Sequence, residues 1–135
     1  MPVDTPMPYA SRAARFLAQG LDALAAALPF LVVLAVGLVL PDAAIIAPLT
    51  LVAAVASTAY WFLADALPGG QSLGKRVLGL AVVHADTREP CTTGQSFVRN
   101  LLLAVLGPLD WLFIFGERHQ RLGDIVARTI VVAID

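Results

Sequence analysis

Along most of this chain the apolar positions do not alternate with polar ones but run together. No charged residue stands between Ala23 and Pro41, nineteen residues, or between Ala43 and Ala64, twenty-two. Each run matches the ~20 residues an α-helix needs to cross about 30 Å of hydrocarbon. The pattern predicts transmembrane helices over about 13–40 and 43–66, joined at Pro41-Asp42 as an antiparallel hairpin. Ser11 is a suitable cap for the first, and Pro29 and Pro48 are tolerated where neighbouring helices satisfy the backbone. Residues 1–11, with three prolines in the first ten, read as an irregular cytoplasmic lead. Asp22 in the entry, the length of the run and the second span behind it argue against a cleaved signal peptide.

Pro68-Gly69-Gly70 ends the second helix. In Gln71–Leu80, Lys75 and Arg76 are interleaved with Leu73, Val77, Leu78 and Leu80. This predicts a short interfacial helix with its basic residues toward lipid headgroups. Ala81–His84 reads as strand and Thr87–Pro90 as turn. A third apolar segment, about 97–116, is interrupted by Arg99, Gly107-Pro108 and Asp110. Arg99, like Lys75 and Arg76, is expected at the headgroup interface. Gln120–Ala127 predicts a short amphipathic helix, and Thr129–Ile134 a strand. Pairing that strand with Leu80–His84 gives a small cytoplasmic β element.

Arg12 and Arg15 at the N-terminal end of the first helix, and Lys75, Arg76 and Arg88 after the second, put the N-terminus and the 69–96 loop in the cytoplasm. A fully spanning 97–116 would strand Arg118, Arg121 and Arg128 outside and forbid the strand pairing. A re-entrant segment broken at Gly107-Pro108 keeps both ends inside, and we favour it over a span.

Composition sharpens the class. The chain of 135 residues is 59% hydrophobic and 14% charged, with a mean hydropathy of +0.80. Soluble domains average about 45–50% and about 25%, so neither an ordinary soluble domain nor a disordered chain fits. Nine basic against ten acidic residues give no excess that would mark a nucleic-acid partner. The single Cys91 excludes an intramolecular disulfide. His84 and His119 have no metal-ligand spacing, and no cofactor is expected.

Arg15, Gln19 and Asp22 lie on one helix face at spacings of four and three, with Arg12 extending it outward. Asp22 falls about 10 Å along the axis from Arg15, within the apolar layer, where a charged, unpaired Asp costs about 2.5–3.5 kcal/mol on insertion scales. It is either a proton or cation site or an ion pair that fixes packing. Asp110 follows a helix break, where transporters build ion sites; a cap for a turn starting at Trp111 is preferred. Asp124 is either a surface i,i+3 partner of Arg121 or a latch to Lys75, Arg76 or Arg99. Asp65 reads as an interface residue, and Tyr60, Trp61 and Trp111 as aromatic belts. Gly69–Lys75 matches the first seven positions of a Walker A loop. Arg76 replaces its Ser or Thr, and no core strand precedes it, so nucleotide hydrolysis is rejected. Ser72, His84 and His119 have no triad spacing, and the chain is not expected to be an enzyme.

The blocks Arg15–Asp22, Gly70–Leu80, Arg99-Asn100 and Arg121–Val132 resemble the RDD family of prokaryotic membrane proteins, in order and from about Arg12 to the C-terminus. The resemblance places the family's arginine and first aspartate on Arg15 and Asp22, and its second aspartate on Asp124. Arg128 departs from the family's usual glycine before Thr. The resemblance implies an inner-membrane protein without an established general function, for which transport has been suggested and in which some members look like sodium/proton antiporters.

The expected function is transport of a cation, proton or small solute through an intramembrane Asp22 paired with Arg15. The alternative is a non-catalytic subunit that binds lipid or another membrane protein. Membrane lipids and further copies of the chain are the expected partners, since two or three helices enclose little space. The re-entrant topology is checked with a tag placed after residue 135: in intact cells it stays out of reach of a membrane-impermeant label, and labelling there would establish the spanning path instead.

Overall fold

The computed structural model describes residues 6–134. Helix α1 spans Arg12–Val39, and Ser11 accepts from the Ala14 N–H as its cap. Asp42 caps α2, Ala43–Leu63, in the same way through Ala44. The two lie side by side, with Gly37 late in α1 against Ile46 early in α2, and Asp22 against Tyr60. Short 3-10 turns over Ala64–Ala66 and Pro68–Gly70 lead to α3, Leu73–Val77.

Strand β1, Leu80–His84, pairs antiparallel with β2, Thr129–Ala133, in the register Val82 opposite Val131. The ladder is extended on both edges. Ala10 N donates to Val131 O and Ala133 N to Pro8 O; on the far side Cys91 N donates to Val82 O. Residues 8–10, expected to be irregular, are therefore strand-like, while residues 1–5 of that lead lie outside the described residues. One face of the ladder packs Leu80, Val82 and Val131 on Ala18 of α1, and the other packs Val83, Ile130 and Val132 together.

The third segment begins four residues earlier than expected. Thr92 and Gln95 form a capping box that starts α4, Thr93–Leu106. Regular helix stops at Gly107 (φ 56°), and a 3-10 stretch continues through Phe115. Helix α5, Leu122–Ala127, ends on Arg128 in the left-handed conformation (φ 55°, ψ 46°). The tight turn thus persists although arginine stands where glycine is the easier residue.

Three stretches, Arg12–Val39, Ala43–Ala66 and Thr93–Phe115, are long and apolar enough to cross a membrane. Their burial is inverted relative to a soluble core. In α1 the buried residues are Arg15, Ala18 and Asp22, whereas Leu24, Leu28, Leu31, Leu34 and Leu38 are exposed. Such a surface is stable where the surroundings are hydrocarbon.

Helices α1 and α3 meet backbone to backbone. A Cβ on Gly74 would overlap the Ala18 carbonyl and crowd Asp22, whereas one on Gly94 would meet nothing within 4 Å. Gly74→Ala is expected to cost about 1–3 kcal/mol by overpacking. Gly94→Ala should be neutral or stabilise by up to about 1 kcal/mol. Denaturation midpoints in detergent distinguish the two.

Candidate functional site

Eight charged side chains are buried together: Asp22, Asp65, Asp110 and Asp124 against Arg15, Lys75, Arg99 and Arg121. The signs balance, and they alternate in space. Asp22 lies 3.5 Å from Lys75 Nζ, and Lys75 is 2.7 Å from Asp65. Asp65 is 2.6 Å from Arg99 Nη1, whose Nε is 2.6 Å from Asp124. Asp124 also takes Arg15 Nη2 at 2.5 Å and Arg121 Nη2 at 3.9 Å, and Arg121 Nη1 stands 3.5 Å from Asp110. A buried ion is tolerable only when it is compensated, and this chain of contacts gives each of the eight an opposite charge within 4 Å, across six elements.

Each member is delivered by local structure. The i, i+7 spacing of Arg15 and Asp22 keeps both on the inward face of α1. Asp65 is carried by the 3-10 turn that closes α2, and Lys75 by α3. Arg99 and Asn100 sit in α4, Asn100 donating to Asp65 at 3.3 Å. Asp124 is the N3 residue of α5 and accepts from the Arg121 N–H at 3.1 Å. Asp110 accepts from the Gly123 N–H at 2.7 Å.

Several expectations are corrected by this geometry. Asp22 does not pair with Arg15; Arg15 reaches Asp124 and the His119 carbonyl. Lys75 and Arg99 face inward at 6% and 0% exposure and do not reach toward headgroups, because the aspartates they neutralise are buried. Arg76 does stay exposed. Asp110 caps α5 and not the turn at Trp111. The Asp124 latch forms, to Arg99. Tyr60, read as a belt residue, donates its hydroxyl to Asp22 at 2.7 Å. Trp111 lies under two guanidinium groups, Arg15 at 5.8 Å and Arg121 at 5.4 Å.

Asp65, Arg121, Tyr60 and Ser72 went unrecognised as site residues. For Asp65 and Arg121 the signal was present: a charge beside an apolar run, with opposite charges elsewhere needing partners. Tyr60 and Ser72 carried no signal, since their roles arise from where α2 and α3 land.

Asp22 is held differently from the other three carboxylates. Its oxygens accept from Tyr60 Oη at 2.7 Å, Ser72 Oγ at 2.5 Å and Gly74 N at 2.8 Å. No arginine reaches it among the described residues. Gln19, Tyr60, Asp65, Lys75 and Asn100 join Asp22 around a cavity of about 10 Å³, close to the room of one water. Among the described residues no cluster of His, Cys, Asp and Glu could hold a metal.

Outside the apolar stretches, burial would raise the Asp124 carboxyl, but Arg15, Arg99 and Arg121 outweigh it and hold it well below the ordinary aspartate range. Burial pulls the Arg121 guanidinium down against the opposing Asp124. The Cys91 thiol is pushed up to about 11, by burial first.

Three long apolar helices around a charged interior define a helical membrane protein. The chain belongs to the RDD family, whose family model matches residues 9–128. No curated protein and no solved structure matches it.

Asp124→Asn leaves three buried arginines short of a counter-charge, and a loss of about 3–5 kcal/mol is expected at neutral pH. Because the folded carboxyl titrates lower than the unfolded one, its contribution is complete above the ordinary aspartate pKa of about 4 and fades as pH falls below it. The stability gap between wild type and Asp124→Asn, measured by thermal denaturation, should therefore shrink below about pH 4.

Proposed function

We propose that this protein moves a proton, a small cation or a small solute across the membrane, with Asp22 as the group that binds and releases it. The observation that carries the reading is the unequal treatment of the four buried carboxylates. Asp65, Asp110 and Asp124 each face an arginine, a permanent charge. Asp22 faces hydroxyls, a backbone N–H and, at 3.5 Å, the ammonium that Asp65 holds more closely at 2.7 Å. It also borders the water-sized cavity. A carboxylate with neutral donors and adjacent room can exchange a proton or ion. Lys75, rather than Arg15, is then the tuning charge.

In this reading the chain is a multi-pass protein of the bacterial cytoplasmic membrane with the N-terminus inside, and it catalyses no covalent reaction. The α1–α2 pair spans as a hairpin, and the 93–115 segment re-enters. Support for re-entry is geometric: Arg99 early in that segment contacts Asp124 beyond its end, and β1 before it pairs with β2 after it. The ladder then stands on the cytoplasmic side with the basic turns. A transport path between so few helices calls for further copies of the chain.

A second reading, a non-transporting subunit that binds lipid or another membrane protein, is favoured by the balance of the network, four carboxylates against four cations. Such a network serves packing as well as transport.

Proton and sodium flux in proteoliposomes separates the two. With transport, wild type conducts and Asp22→Asn, shown to be folded, loses flux at least tenfold. Intact flux in the variant removes Asp22 from the path. No flux from folded wild type under either gradient, with a lower folded yield of Asp22→Asn, gives the subunit reading.

A further inference from the structure

A groove of about 690 Å³ opens between α1 and the 107–115 stretch, and shares Gln19 and Trp61 with the small cavity beside Lys75. Its volume is that of a ligand site. Phe16, Gly20 and Ala23 form one wall, and Trp111 and Phe115 the other, with Leu103 and Gly107 at its inner end. The lining is apolar throughout except for Gln19. Both glycines face open space: a Cβ at Gly20 or Gly107 would meet no atom within 4 Å.

One rim carries a charge. Arg12 is exposed, and it donates from Nε to Ile114 O at 3.2 Å and from Nη2 to Phe115 O, both carbonyls of lining residues. Its guanidinium lies 5.3 Å from the Phe115 ring centroid. No carboxylate pairs with it among the described residues. A guanidinium has five N–H donors, so this one retains donors directed away from the two carbonyls. Glu117 and Arg118, which follow Phe115 in sequence, carry opposite charges.

The dimensions match one leaflet. From Arg12 to Ala23 is eleven residues of helix, about 16 Å, against about 15 Å for half the hydrocarbon thickness. The charge therefore stands where headgroups lie, and the apolar trough runs inward from it to mid-bilayer.

We infer that this groove is a binding site for an anionic phospholipid, its phosphate on Arg12 and one acyl chain lying between α1 and the 107–115 stretch. A hydrocarbon trough one leaflet deep with a lone cation at its outer end complements a molecule with an anion at one end and an alkyl chain behind it. A guanidinium is suited to phosphate, and the chain fills the space that the two glycines leave open. The site does not depend on the transport reading, since Asp22 and Lys75 take no part in it.

The chain supplies its own probe, because its two tryptophans, Trp61 and Trp111, both line the groove. Tryptophan emission is measured in phosphatidylcholine nanodiscs containing graded amounts of phosphatidylglycerol or phosphatidylcholine brominated on the acyl chain. Brominated phosphatidylglycerol should reach half-maximal quenching at a mole fraction at least threefold lower than brominated phosphatidylcholine. Arg12→Gln should bring the two curves together. Gly20→Leu, whose added side chain enters open space and leaves every charge in place, should reduce quenching by both lipids while retaining the fold. Coincident curves in wild type would overturn the proposal in favour of unselective boundary lipid. Absence of quenching by either lipid, with cross-linking between copies through Gly20→Cys, would overturn it in favour of a second chain in the groove. A preference that survives both Arg12→Gln and Gly20→Leu would place the selective contact elsewhere and equally overturn it.

Discussion

A charge inside an apolar slab must find its counter-charge in the same place, and Arg99 is where this structure solves that problem. It is fully buried and bridges two aspartates, Asp65 after α2 and Asp124 in α5. Those aspartates in turn hold Lys75, Arg15 and Arg121. Remove this one bridge and two buried carboxylates lose a partner each. Tying together parts of the chain that are apolar outside and charged inside requires such contacts, because hydrocarbon gives helices little reason to associate by apolar burial alone. Close approach does the rest: Gly74 admits the Ala18 backbone and Gly123 admits that of Arg99, so the charges meet at ion-pair distance.

On the transport reading, the network also separates packing groups from an exchanging one. Arginine partners hold Asp65, Asp110 and Asp124 in place and so organise packing. Asp22 alone is left with hydroxyls, an amide and a shared ammonium, next to room for a water. Gln19 and Trp61 form the wall between this polar cavity and the apolar groove on the other side. Helix α1 thus serves two environments: Asp22 turns toward α3, and Gly20 and Ala23 line the groove. The small β ladder, closed on both edges by residues 8–10 and 89–91, holds the start of α1 and the end of the chain together and so keeps Arg15 within reach of Asp124.

Much of this was legible in the sequence. Uninterrupted apolar runs set α1 and α2 to within a few residues, since length and hydropathy are sufficient when the solvent is hydrocarbon. β-branched runs announced both strands and their pairing. The start of α4 was legible too, in the capping pair Thr92 and Gln95, but the apolar count masked it. The same holds for residues 8–10: prolines argue against a central strand, yet an edge that uses carbonyls and only some N–H groups accommodates Pro8.

What the sequence by itself determined is the class of environment and the fact that a charge at the depth of Asp22 needs a partner or a proton there. Spacing along a helix fixed that Arg15 and Asp22 share a face. Only the tertiary structure decided who pairs with whom. Sequence proximity favoured Asp22 with Arg15, a pair that does not form, and Asp124 with Arg121, which meets at 3.9 Å; the closer partners of Asp124, Arg15 and Arg99, were chosen by which segments meet across the fold. Arg15 reached over one hundred residues along the chain to Asp124, and Asp22 was left to α2 and α3. An ion pair depends on distance in space, and in a chain that folds back on itself no local pattern encodes that distance.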